Sequence, residues 1–348
     1  MNKPSPVFDI YQRDDLAFPK SLPQFQKLFP DDAACAAYLE QTRWEGGFSC
    51  PHCGVVAEPF RFANKPGVLR CRSCRRDTAL TAGTVMERTR MPLSVWFWAA
   101  YLMSSHTAGM SALQFQRQLG IKRYETAFQI MHKLRAGMVR HDADQIGKPG
   151  STEHVEVDEV WIGGPHHQTL VLAAVEVRQR QAKPDAKGKV RRGGRYAGRL
   201  RIQVIPDRQG ETLCDFVEDA VLPGTMVITD GWRGYADLTN RGYDHLVAVE
   251  NHDPQVTEDY LPISHLVFSN LKSWLLGCHH GVSPQHLQAY LNEYTFRFNR
   301  RFQPFNAFRS LLGIGSDMEA PTYHELYSGE WQHSTMTGGS GTVAGLEC

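Results

Sequence analysis

Four cysteines constrain this chain more than any other feature. Cys50, Cys53, Cys71 and Cys74 stand in the pattern C-x2-C-x17-C-x2-C. Each C-x2-C turn presents two thiolates on one side, and two such turns facing each other close a tetrahedral shell around Zn2+. A shell made wholly of protein thiolates has no position for substrate, so the site is expected to be structural, folding and presenting a small β-ribbon. The remaining cysteines, Cys35, Cys214, Cys278 and Cys348, are scattered, which fits a reducing cytoplasm and one metal site rather than a disulfide framework. Arg70, Arg72, Arg75 and Arg76 surround the second pair. They read equally as a nucleic-acid contact and as a solvated basic turn.

With 348 residues the chain is long enough for two or three domains, each with its own core. The amino-terminal residues lack the apolar core of a signal peptide, and the most hydrophobic run, Met91 to Met103, is too short to span a bilayer, so no membrane partner is expected. Residues 1–30 read as an extended lead-in and residues 31–90 as the zinc-ribbon domain, opening with a short helix over DDAACAAYLEQT. Residues 91–148 read as a small helical domain. Its first helix, LSVWFWAAYLMS, is apolar enough to be core. Two further helices joined at Leu119-Gly120-Ile121, with Lys122 and Arg123 starting the second, form a candidate helix-turn-helix. Any small helical hairpin shares that pattern, so its neighbours carry the DNA reading.

Residues 149–314 carry the candidate chemistry. The segment EHVEVDEVWI alternates as a half-buried strand, placing Glu156 and Asp158 on one face and Val155, Val157 and Glu159 on the other. Carboxylates are poor strand formers, so three in four positions need a reason: either cation binding or a solubilised edge. A second strand follows over TLVLAAVEV, and a third over Leu200 to Ile205. Between Arg178 and Arg201 lie ten Lys or Arg against one acidic residue, although the net charge of the whole chain is only +1. Arg178 to Arg199 of that stretch, including Arg191 and Arg192, is expected as an exposed hairpin loop touching a phosphate backbone. After a helix over 212–222, TMVIT is a short strand ending at Asp230, where open α/β sheets place ligands; Asp230 also reads as a cap for the turn at Trp232. This order of elements is that of an RNase H-like α/β domain. Two acidic residues on different strands there hold two divalent ions for in-line phosphoryl transfer.

A third ligand has to come from a later helix. His265 and Lys272, seven residues apart, return to nearly the same helical face, whereas Asn270 points almost oppositely to Lys272. His265 is therefore the first choice and Asn270 the second. A glycine break is expected at Gly277, and residues 315–348 read as a flexible tail.

RWEGGFSCPHCG, CRSCRRDTALTAGTVME, EVDEVWIGG, ITDGWRGY, SNLKSWLLGCHHGVS and YLNEYTFRFNRR together resemble the bacterial insertion-sequence transposases that carry an amino-terminal zinc ribbon and a DDE-superfamily catalytic domain, the group whose third acidic position varies and is followed by Lys. The resemblance covers roughly residues 20–312. It implies that Asp158 and Asp230 hold catalytic Mg2+ or Mn2+, and that Lys272 touches DNA near the scissile phosphate. The third position, Glu in many relatives, is His265 here, and imidazole suits softer ions than Mg2+. Glu293 lies too far beyond Asp230 for the usual pattern and reads as packing, with Arg297, Asn299, Arg300 and Arg301 as DNA contacts. The adjacent His279 and His280 point in different directions and read as hydrogen-bonding or DNA-contacting rather than joint ligands. The implied activity is binding of terminal inverted repeats, cleavage and joining to target DNA, by a homodimer or larger assembly. A non-catalytic DNA-binding relic and a nuclease without strand transfer are the alternatives.

Overall fold

The computed structural model describes residues 15–106, 108–139, 145–164, 167–184, 190–191, 193–248, 260–302, 304–315 and 321–328. Chain contacts divide it into two compact units, Met1–Arg140 with Arg300–His333 and His141–Asn299 with Ser334–Cys348. The first boundary falls at residue 140, eight residues before the expected end of the helical domain at 148. The second does not match residue 314, because the helix following residue 303 belongs to the first unit.

The first unit begins with α1 (Leu22–Leu28) and α2 (Asp32–Arg43), capped by the side chains of Ser21 and Asp31, which accept the N–H groups of Gln24 and Ala34. The lead-in is thus partly helical. Its helix is too short to show a period in sequence and is held by burying Phe25, with Phe29 buried just after it. Next come β1 (Phe60–Phe62), β2 (Lys65–Arg70) and β3 (Asp77–Ala79), an antiparallel ribbon in that order. Then follow α3 (Leu93–Ser105), α4 (Ala112–Gln118) and α5 (Tyr124–Ala136). As expected for core, α3 buries Trp96, Phe97 and Tyr101.

The second unit is built on a five-stranded sheet. Its strands are β4 (His154–Ile162), β5 (Thr169–Arg180), β8 (Gly194–Val204), β9 (Met226–Asp230) and β10 (Asp244–Ala248); β6 (Lys183–Pro184) and β7 (Val190–Arg191) pair separately between β5 and β8. The order across the sheet is β10-β9-β4-β5-β8. The pairs β4–β5 and β5–β8 are antiparallel, whereas β4–β9 and β9–β10 are parallel. Much of the basic stretch expected as a loop is strand, since β5 runs on to Arg180 and β8 starts at Gly194. One sheet face packs on α6 (Gly210–Ala220) with Tyr235 and Leu238. The other packs on α7 (Pro262–His279) and α8 (Pro284–Asn299). This helix–sheet–helix layering is consistent with an RNase H-like fold.

Helix α7 passes through Gly277 without a break and ends at His280, in the left-handed region at φ 56°, followed by Gly281 at φ 105°. The edge strand β8 is closed by side chains of α8: Asn299 accepts from Leu200 N and donates to Leu200 O (2.7 and 3.1 Å), and Gln288 accepts from Val204 N (2.9 Å). Asn299 is therefore occupied in the fold rather than offered to DNA. The chain then returns to the first unit as α9 (Pro304–Ile314), whose Phe308 sits 5.5 to 6.0 Å from the rings of Phe25, Phe29 and Phe97, and α10 (Tyr323–Ser328). Residues 323–328 are thus helical, not tail; residues 329–348 lie outside the described residues.

Candidate metal centre and nucleic-acid interface

The ribbon brings the four cysteines together, with every ligand atom within 4.8 Å of the others. Cys50 Sγ lies 3.6 Å from Cys74 Sγ, and Cys53 Sγ lies 3.7 Å from Cys71 Sγ. Four sulfurs about 2.3 Å from a tetrahedral Zn2+ sit about 3.8 Å apart, so the set fits this ion. The two turns repeat one geometry. Gly54 N–H donates to Cys50 O and Arg75 N–H to Cys71 O, at 2.8 and 3.0 Å. Gly54 and Arg75 both adopt left-handed backbone, at φ 72° and 60°. Around the second turn Arg70 pairs with Asp77 through two bonds of 2.6 and 3.0 Å. Arg72, Arg75 and Arg76 are exposed and make no ion pair among the described residues.

Lys122 and Arg123 are likewise exposed and unpaired among the described residues, at the start of α5. Residues 130–139 are buried throughout, so α5 presents only its first turn. Arg191 lies on β7 and Arg192 lies outside the described residues. Arg300 and Arg301 are half-buried, with the Arg301 guanidinium 4.4 Å from the Phe302 ring. His279 packs edge-on against Trp274 and Tyr290, at 4.8 and 4.6 Å. Glu293 is fully buried and pairs with Arg297 at 3.5 Å.

In the second unit, the two aspartates stand on neighbouring strands, β4 and β9. His154, Val155 and Glu156 pair with Met226, Val227 and Ile228. The pairing ends there, and Asp158 and Asp230 each follow two residues beyond the last pair, Asp158 on the same face of β4 as Glu156. Each carboxylate is fixed through one oxygen: Asp158 Oδ1 accepts Glu159 N–H at 2.8 Å, and Asp230 Oδ1 accepts Trp232 N–H at 3.0 Å. From the first turns of α7, His265 Nε2 reaches to 3.4 Å from Asp158 Oδ2. Lys272 is exposed two turns later on the same helix, and Asn270 is exposed between them.

Sequence reading missed the network behind these residues. Glu159, on the opposite face of β4, accepts a short hydrogen bond from Tyr235 and pairs with Arg208. Arg208 also lies 3.8 Å from Asp230 Oδ2 and 4.2 Å from the Trp232 ring. Burial, together with the nearby charges of Asp230 and Asp158, pushes the Glu159 carboxyl above its ordinary range despite Tyr235 and Arg208. The same burial and negative charge hold the Tyr235 phenol well above its usual value. The only hint in sequence was the excess of carboxylates in EVDE; Arg208 lies in a loop that shows no period.

A four-thiolate ribbon in one unit and an RNase H-like sheet bearing aspartates on two strands in the other are the parts of a DDE-type transposase, and comparison with known proteins gives the same class. Residues 151–299 match the ISXO2-like transposase domain, and residues 30–77 match the transposase zinc-ribbon domain. The chain belongs to the transposases and carries an ISXO2-like transposase domain behind a transposase zinc ribbon. It is 25% identical over 289 residues to an uncharacterized protein in transposable element ISH50 of Halobacterium salinarum, covering 78% of this chain and 92% of that one. It is 30% identical over 97 residues to an uncharacterized transposase-like protein of Haemophilus influenzae, covering 28% of this chain and 77% of the relative. No solved structure matches the chain. Membership in a transposase family implies a DNA partner, and among the described residues no helix is long and apolar enough to cross a membrane.

Proposed function

We propose that the chain binds the terminal inverted repeats of its element, cuts the DNA there and joins the freed 3′ end to target DNA. The observation that carries this reading is His265 3.4 Å from Asp158 on β4, the strand that pairs in parallel with β9, at whose end Asp230 stands. Two carboxylates, each anchored through one oxygen, are a donor set suited to Mg2+ or Mn2+. When bound, such ions supply charge stabilisation and an activated oxygen for phosphodiester transfer.

The protein groups do the orienting. Asp158 and Asp230 are each held through one oxygen by a backbone N–H donor, and the second oxygen of Asp230 lies 3.8 Å from Arg208. His265 steadies Asp158 Oδ2 from α7. Lys272, on the same face of that helix, neutralises phosphate near the cut. DNA binding falls to the first unit, through Arg72 and Arg75 on the ribbon and Lys122 and Arg123 on the helical hairpin. Arg75 supports this assignment. It takes a left-handed conformation that Gly54 fills in the first turn, and a non-glycine residue there carries backbone strain, as functional residues do. Two element ends have to be held together for joining, so the active form is a homodimer or larger assembly.

The test is an excision and joining assay with marked element ends in Mg2+ and in Mn2+, comparing wild type with Asp158→Ala and Asp230→Ala. Both variants are expected to bind ends and yield no cut product. Cutting by the wild type without a joined product would make it a nuclease, and unaltered function in both variants would make it a DNA-binding relic.

A further inference from the structure

Glu156 is fully buried on β4, two residues before Asp158 and on the same face, and the reaction scheme above does not use it. Its Oε2 accepts the backbone N–H of Ser264 at 2.6 Å. Its Oε1 has no hydrogen-bond partner among the described residues, and the nearest basic atom, His154 Nε2, is 3.9 Å away. A buried carboxyl group with one oxygen unbonded is costly, so its single strong contact has to be informative.

Ser264 is the third residue of α7, a position whose N–H a capping side chain ordinarily takes. The residue at the cap, Leu261, makes no side-chain hydrogen bond. Glu156 takes that N–H from 108 residues earlier. The next residue along α7 is His265. One strand therefore carries both the cap and Asp158, and one helical turn carries both the capped amide and His265.

We propose that Glu156 is a positioning residue, which caps α7 from β4 and thereby sets His265 against Asp158. This rests on the assignment of Asp158 and His265 to the reaction. Without the cap the first turn of α7 loosens, and His265 leaves Asp158 while the rest of the helix stays packed through Val267, Phe268 and Leu271.

The test uses the full chain with Glu156→Ala, Glu156→Gln, His265→Ala and the Glu156→Ala/His265→Ala double variant. End cleavage is measured at saturating DNA, DNA affinity separately, and amide hydrogen exchange over residues 262–266. Glu156→Ala is expected to slow cleavage about 10-fold or more with unchanged DNA affinity, since misplacement by an ångström is enough for that. Exchange over 262–266 should accelerate. Glu156→Gln keeps an acceptor oxygen and should restore both. The double variant should be no slower than His265→Ala, because the cap acts through His265. If Glu156→Ala does not fold, Glu156→Asp withdraws the oxygens by one methylene and is expected to behave in its place. Equal loss in both backgrounds, a Glu156→Gln as impaired as Glu156→Ala, or unchanged exchange overturns the proposal. A fully active His265→Ala or Asp158→Ala instead overturns the functional reading on which it rests.

Discussion

His265 Nε2 stands 3.4 Å from Asp158 Oδ2, joining the first turns of α7 to the middle strand of the sheet. Asn270, on the same helix, is exposed and has no such contact among the described residues. His265→Ala should therefore slow end cleavage by about 100-fold, the scale of a lost positioned polar group, while Asn270→Ala stays near wild type. His265→Glu restores an oxygen donor and should favour Mg2+ over Mn2+ relative to the wild type. Rates in the two metals decide this, and a dead Asn270→Ala beside an active His265→Ala would transfer the third position to Asn270.

Arg75 offers a separation of stability from binding. Its left-handed backbone should relax in Arg75→Gly, stabilising the ribbon by about 1 kcal/mol, while affinity for element ends falls and its salt dependence flattens. Thermal melting and binding titrations at two salt concentrations measure the two effects. Unchanged affinity would make this turn merely solvated.

Zinc removal should expose the ribbon thiols selectively. A chelator is expected to release one ion per chain and make Cys50, Cys53, Cys71 and Cys74 reactive. Cys35 should stay silent, because burial, helped by Asp32 and Asp31, pushes its thiol up to about 12. Thiol titration with and without chelator, read by peptide mass, checks the sites.

Glu176 predicts a pH dependence. Its burial opposes ionisation, but the N–H groups of Gly147 and Arg199 and the Arg199 guanidinium outweigh it and hold the carboxyl below its usual value. Such a group stabilises the fold above the ordinary glutamate pKa, and that contribution is lost as pH falls through the lower folded value. Gly198 is needed there, because a Cβ would lie 2.5 Å from Glu176 Oε2. Urea unfolding of the full chain should show stability falling between about pH 5 and pH 3, with a smaller fall in Glu176→Gln.

The features readable from sequence were those with a local signature. The cysteine spacing announces the ribbon, the alternation of EHVEVDEVWI assigns opposite faces to Asp158 and Glu159, and a seven-residue step puts His265 and Lys272 on one side of α7. What escaped depends on partners distant in the chain. Strand β10 is short and half exposed, with too little apolar pattern to stand out. Nothing near Asn299 or Gln288 signals that they close the edge of β8, and Arg208 gains meaning only where Glu159 and Asp230 converge on it. The lead-in helix likewise exists through Phe25, whose neighbour Phe308 lies almost at the other end of the sequence.

That last pairing bears on how the protein is made. Phe308 fills the aromatic cluster of the first unit, and Gly315 O accepts Val85 N–H at 2.8 Å. A chain leaving the ribosome completes the sheet before the residues that close the first unit have been synthesised. The half translated first thus finishes folding last, and a nascent or prematurely stopped chain would hold a finished sheet with an unfinished ribbon-bearing unit.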